Sequence, residues 1–294
     1  MTSNDSISTQ IKVKLRASWA LIKSLQTGLL LLTGLAGYMS ARCPVTTWQT
    51  LLGLIGSLFL AISGSTVLNM FFDRDIDALM ERTCTRPLPR GELSPNEALI
   101  LGLMMSTVGV VWAFLMDPMY GAIVFSGLFF DVVIYTIWLK RRTAWSIIWG
   151  GLAGGMPVLA GRVLGLGTID WVGIALCLAV LFWIPTHIMT FNLRYKEDYE
   201  RAQIPTFPSQ YGEARTHIMI AVSSIASAIA MAVAAVGIGM TWGYLRVLAV
   251  LSIGLLLLAI SYLIQPTSKK NFGLFKYASV YMMSSMLLVV AETM

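Results

Sequence analysis

Asn69, Asp73 and Asp77 stand at positions i, i+4 and i+8. On a helix such residues share one face, with neighbours about 5–6 Å apart. An amide oxygen and two carboxylates in one row are hard oxygen donors. Magnesium takes such donors, keeps several waters and completes its shell with substrate phosphates. Basic residues follow closely. Arg82 and Arg86 are again i and i+4, and Lys140, Arg141 and Arg142 form a run further on. Guanidinium forks and ammonium point charges both suit a diphosphate. A second acidic cluster reads Tyr195-Lys196-Glu197-Asp198-Tyr199-Glu200. Asp198 is the candidate for a further cation ligand there, with Glu197 and Glu200 as alternatives. Asp75 lies off the shared face and reads as supporting or structural. The competing reading of the first cluster is a solvated acidic helix end with salt bridges to Arg74, Arg82 and Arg86, and that of the second is an ordinary exposed charged loop.

The elements that must position these residues follow from composition. Of 294 residues, 56% are hydrophobic and 12% charged, against about 25% charged in an average soluble domain. Too few charges remain to cover a soluble globule, and there is too much apolar matter for disorder. The three cysteines, Cys43, Cys84 and Cys177, form no CxxC pair. A disulfide framework and a thiolate metal site are therefore not expected. No basic patch is interleaved with aromatics on a soluble domain, so no nucleic-acid partner is expected. The first ten residues are polar and do not read as a signal peptide.

A bilayer core needs roughly 20 apolar residues per helix. Nine stretches qualify: 24–41, 48–71, 98–115, 119–139, 145–160, 171–191, 218–242, 245–264 and 277–291. The expectation is an all-α, polytopic membrane protein with nine transmembrane helices in a single domain. Residues 1–20 read as a polar, basic tail, and 72–97 and 192–217 as long functional loops. With the N-terminus in the cytoplasm, only Arg42, Arg162 and Arg246 fall on the outer side, leaving 18 of the 21 Lys and Arg inside. That asymmetry predicts an N-in, C-out chain in the cell membrane with its active face toward the cytoplasm. The fifth and ninth spans look short. Gly150, Gly151, Gly154 and Gly155, before Pro157, predict close packing or a local break. Ser94-Pro95-Asn96-Glu97 predicts a capped helix start. Two polar groups fall inside spans. Asp131 and His187 are candidates for acceptor contact, against a paired buried acid and a hydrogen-bonded interior histidine.

The run Asn69-x3-Asp73-x3-Asp77, with Arg82-Thr83-x2-Arg86-Pro87-Leu88-Pro89, resembles the first signature of the UbiA superfamily of intramembrane prenyltransferases. Residues 73–83, 135–143 and 195–208 and Pro185-Thr186-His187 are most similar to its heme-farnesylating branch. The likeness runs from about 21 to 212. It implies a bundle of nine helices around a central cavity and a Mg²⁺-dependent transfer of an isoprenyl group. The donor implied is a polyprenyl diphosphate, farnesyl or longer, drawn from the lipid bilayer. By the same likeness Asp73, Asp77 and Asp198 are catalytic, and Asn69 joins them as metal ligands. Lys23, Arg82, Arg86, Lys140, Arg141 and Tyr195 would hold the diphosphate, and Asp131 and His187 the acceptor. Heme B, farnesylated to heme O, is the first acceptor; an aromatic quinone precursor or a glycerol-phosphate lipid is the alternative. A transporter is the competing class, but the acids gather at one face of the membrane, not at its midplane.

Overall fold

The computed structural model describes residues 3–42 and 47–293, with side chains from residue 12 onward. Cys43 and the rest of the first short connection, 43–46, lie outside the described residues. Among the described residues there are twelve α-helices and no strand. They are α1 Ser3–Leu21, α2 Ser24–Ser40, α3 Trp48–Leu79, α4 Pro95–Met116, α5 Pro118–Leu128 and α6 Ser146–Leu166. There follow α7 Trp171–Arg194, α8 Lys196–Arg201, α9 Phe207–Tyr211, α10 Glu213–Ile238, α11 Trp242–Ile264 and α12 Ser268–Thr293. A π-helical segment, Phe129–Leu139, continues α5 without a break.

Eight helices are long and apolar enough to cross a bilayer, counting α5 with its π continuation as one. A ninth arises when α2 is joined to residues 12–21 of α1 across a 49° bend. The all-helical, multi-pass expectation is thus met.

Four boundaries differ from expectation. The polar, basic tail 1–20, to which the sequence assigns no span, is helical from Ser3 as α1. The fifth and ninth spans are not short, at 21 and 26 residues. The motif helix α3 runs on to Leu79, so the first long loop is only 80–94. The second long loop holds the short helices α8 and α9. Polar residues hid the continuing helices from a reading based on apolar runs.

The glycine-rich stretch produces close packing and no break: a methyl group on Gly155 would run into the Cys177 sulfur and carbonyl, and one on Gly154 into the Ile184 side chain. Helix α6 continues through Pro157. A methyl group on Gly37 would run into the Val158 carbonyl, and one on Gly161 into the Gly34 carbonyl. Backbone-to-backbone approach of α2 and α6 therefore depends on these hydrogens. At the end of the bundle opposite the acidic motif, buried Arg162 fastens three helices. It grips Asp170 with two 2.7 Å bonds and donates to the Ser40 carbonyl at 2.7 Å. Asp170 also caps α7 through the Gly173 amide. The expected start of α4 is present, with Ser94 and Glu97 forming a capping box.

Candidate active site

Because α3 stays helical to Leu79, Asn69, Asp73 and Asp77 fall on one face of its last turns. Asp73 and Asp77 are buried, at 6% and 5% exposure, and Asn69 is half-buried. Each has a separate partner. The Lys140 ammonium holds Asp73 through Oδ2. Arg86 donates to Asp77 Oδ2 at 2.6 Å, tying the 80–94 loop back onto α3. Asn69 donates to Asp131 Oδ2 at 2.8 Å and accepts from Thr136 at 2.8 Å.

Lys140 is not free to lose its proton easily. Burial works to lower it, but the Tyr135 ring and the Asp73 carboxylate hold it above the ordinary lysine range. Lys23 sits at the break between α1 and α2 with φ +48°, a left-handed conformation that a side chain rarely adopts. Its electrostatic neighbours are Arg86, Lys140, Asp77 and Asp73, so this kink delivers a further cation to the same cluster. Arg82 reaches the site differently. Its guanidinium lies 4.8 Å over the Phe191 ring and 5.6 Å over the Tyr195 ring. Tyr195 thus supports Arg82 from below.

Three expected residues have other partners. Asp198, buried at 8% exposure, accepts from the Glu81 amide at 3.0 Å and the Arg82 amide at 3.4 Å. It anchors the start of the 80–94 loop, while Glu197 and Glu200 are exposed. Arg141 grips Asp75 with two 2.6 Å bonds and also reaches the Phe72 carbonyl, on the exposed rim. His187 is sandwiched between Trp183 and Phe275, at 4.9 and 4.4 Å, with Ser279 on Nδ1 at 3.3 Å. This side chain is built into the contact between α7 and α12.

Two residues missed from the sequence belong to the cluster. Tyr199 feels Arg82, Lys140, Arg86 and Asp73, and burial pushes its phenol up. Its spacing of four from Tyr195 was the available signal. Asn192, on α7, is buried at 7% exposure with its side-chain oxygen unpartnered. It lines a cavity of about 50 Å³ with Tyr135, Lys140 and Tyr199.

Among the described residues no three His, Cys, Asp or Glu side chains gather into a ready metal cage. The donors nevertheless suit a hard cation shared with a substrate. Asp73 Oδ1 is buried and has no hydrogen-bond partner. A charged oxygen so placed costs free energy unless something positive meets it. Magnesium commonly uses one or two carboxylates and takes the rest of its shell from phosphates and water. Chemically, the cluster sets an amide and two carboxylates at the end of α3 against the cations Lys140, Arg86 and Lys23.

Comparisons with known proteins agree with this reading. Residues 30–281 match the UbiA prenyltransferase family. A protoheme IX farnesyltransferase of Archaeoglobus fulgidus is 41% identical over 90% of this chain and 86% of its own. One of Aeropyrum pernix is 38% identical over 90% of this chain and 88% of its own. Among solved structures, a digeranylgeranylglyceryl phosphate synthase superposes with a TM-score of 0.80 at 19% identity, covering 95% of this chain and 98% of its own. A UbiA homologue of Archaeoglobus fulgidus bound to GPP and Mg²⁺ gives 0.71 at 17% identity, covering 94% and 99%. At such identities the two structures speak for the fold alone. Sequence, span count and fold converge: the chain is a multi-pass membrane prenyltransferase and belongs to the UbiA prenyltransferase family.

Proposed function

We propose that the chain farnesylates heme B, taking the farnesyl group from farnesyl diphosphate in a Mg²⁺-dependent reaction at the cytoplasmic face of the cell membrane. The acceptor rests on the extended identity to relatives named protoheme IX farnesyltransferase. The chemistry rests on one observation: Asp73, neutralised on one side by Lys140, keeps its other oxygen buried and unpartnered.

Asn69, Asp73 and Asp77 would hold the cation through their side-chain oxygens. When bound, it supplies charge neutralisation for the leaving diphosphate. Arg86 and Lys140 hold Asp77 and Asp73, and each keeps N–H donors to spare for a diphosphate. Arg82 and Lys23 add charge from the loop and from the kink. Together they stabilise the electron pair that leaves with the diphosphate as the C1–O bond breaks. The allylic carbon, kept from water by the apolar span walls until it reacts, then bonds the terminal carbon of a heme vinyl group as that group's π bond breaks. A water adds to the inner carbon with loss of a proton to give the hydroxyethyl group. Asp198 contributes by fixing the loop that carries Arg82 and Arg86. The 50 Å³ cavity beside Lys140 is well below the roughly 300 Å³ at which ligand pockets begin. Filling that cavity with substrate would require its lining side chains, Tyr135 and Tyr199 among them, to move. The basic residues that flank the motifs, 18 of 21 on one predicted side, support the cytoplasmic placement.

The test is product mass. Membranes holding the chain are incubated with farnesyl diphosphate and Mg²⁺, plus either heme B or 4-hydroxybenzoate. Hydroxyethylfarnesyl heme is expected from the first mixture only. A prenylated benzoate with no farnesylated heme overturns the acceptor while leaving the prenyltransferase class intact.

A further inference from the structure

Asp131 is an acid inside a membrane span, and such a group needs a reason to be there. Its Oδ2 accepts from Ser65 at 2.5 Å and from the Asn69 amide nitrogen at 2.8 Å. It lies in the π-helical segment that continues α5. In that geometry the backbone hydrogen-bond register runs between residues i and i+5, where an α-helix pairs i with i+4. The residue five after Asp131 is Thr136. Its hydroxyl reaches both the Asp131 carbonyl at 2.9 Å and the Asn69 side-chain oxygen at 2.8 Å. Four residues after Thr136 comes Lys140, whose ammonium holds Asp73.

A side-chain amide can bond in either of two orientations, with oxygen and nitrogen exchanged. Asp131 Oδ2 accepts from both the Ser65 hydroxyl and the Asn69 amide nitrogen, so it selects the nitrogen orientation of the amide. Asp131 therefore fixes the Asn69 nitrogen on its own side. The oxygen is left on the side of Thr136. Regular α-helical winding would pair Tyr135 with Asp131, and the clamp would lose its second arm.

We propose that Asp131 is a positioning residue. With Thr136, presented by the π-helical register, it clamps the Asn69 amide so that its oxygen, not its nitrogen, serves the cation site. The inference rests on the reading of Asn69 as a cation ligand. It assigns Asp131 a partner other than the acceptor expected from the sequence.

The experiment uses the full chain in lipid nanodiscs and Mn²⁺ alone as probe, with free Mn²⁺ read by electron paramagnetic resonance. Partners behind a ligand typically contribute about 10- to 100-fold in metal affinity. Asp131→Leu and Thr136→Val are each expected to weaken Mn²⁺ binding about tenfold on this scale. Asp131→Asn is expected to rescue, because its carbonyl oxygen still accepts from Ser65 and Asn69. Thr136→Val is nearly isosteric and serves as the second variant where Asp131→Leu folds poorly. Wild-type affinity in Thr136→Val or Asp131→Leu, beside a loss in Asn69→Ala, overturns the clamp and leaves the ligand reading standing. Wild-type affinity in Asn69→Ala overturns both. Loss in Asp131→Asn equal to that in Asp131→Leu overturns positioning in favour of a need for the charge itself.

Discussion

Lys140 holds one oxygen of Asp73, and the other oxygen of that carboxylate is buried with no hydrogen-bond partner. The pair joins the end of α3 to the residue that follows the π-helical segment. It has the form of half an ion-binding site, charged and aimed but incomplete. Removing a single partner from a buried pair is more costly than the pair's net worth, because the survivor is left uncompensated. Lys140→Met is therefore expected to raise KM for the diphosphate more than tenfold and to lower thermal stability in detergent. The double variant with Asp73→Asn is expected to regain stability without regaining activity. Additive losses in that cycle would contradict the coupling.

Asp198 separates two roles that look alike in sequence. Its carboxylate is committed to the amides of Glu81 and Arg82. Hydrogen bonds to a charged acceptor contribute about 1.5–3 kcal/mol each. Asp198→Ala is expected to raise KM for the diphosphate, through misplacement of Arg82, while Mn²⁺ affinity without substrate stays within twofold. Loss of metal-alone binding in Asp198→Ala would restore it to the ligand set.

Orientation has a direct chemical test. Cys84 is exposed in the 80–94 loop, and Cys177 is buried. In a Cys43→Ser background, a membrane-impermeant maleimide is expected to label Cys84 in inverted vesicles and not in intact cells. The reverse pattern would turn the bundle over.

The Arg162–Asp170 fastening predicts a pH response in stability. Hydrogen bonds from Arg162 hold the Asp170 carboxyl below the ordinary carboxylate range. A lowered native value means the stabilisation is whole above the ordinary value of about 3.9 and is lost as pH falls through the native one. Asp170→Asn is expected to lower the melting temperature at pH 7 and to converge with wild type toward pH 3. A gap that persists unchanged at pH 3 would remove the ionic account. The substitution acts far from the motif, so KM for the diphosphate is expected to stay near wild type.

The spans were legible because apolar length and one-sided charge are written along the chain. The first motif was legible because a helix converts spacing into a shared face, and Asn69, Asp73 and Asp77 lie on one. What escaped depends on contacts between distant residues. Nothing near Asp198 says that it caps two amides more than a hundred positions earlier. The π register that pairs Asp131 with Thr136 has no apolar period of its own to reveal it. His187 has the composition of a ligand, yet its place between Trp183 and Phe275 is set by the packing of α12. Helix α1 carries no continuous apolar run, so its helical state is not marked in the sequence as the spans are.

The central claim is that the unpartnered oxygen of Asp73 serves a cation that holds the substrate's diphosphate. Binding of farnesyl diphosphate to the purified chain, titrated with and without Mg²⁺, tests it most directly. Binding is expected only with Mg²⁺, and Asp73→Ala is expected to abolish it while the fold persists by circular dichroism. Equal binding without Mg²⁺, or full Mg²⁺-dependent binding by Asp73→Ala, would contradict the account.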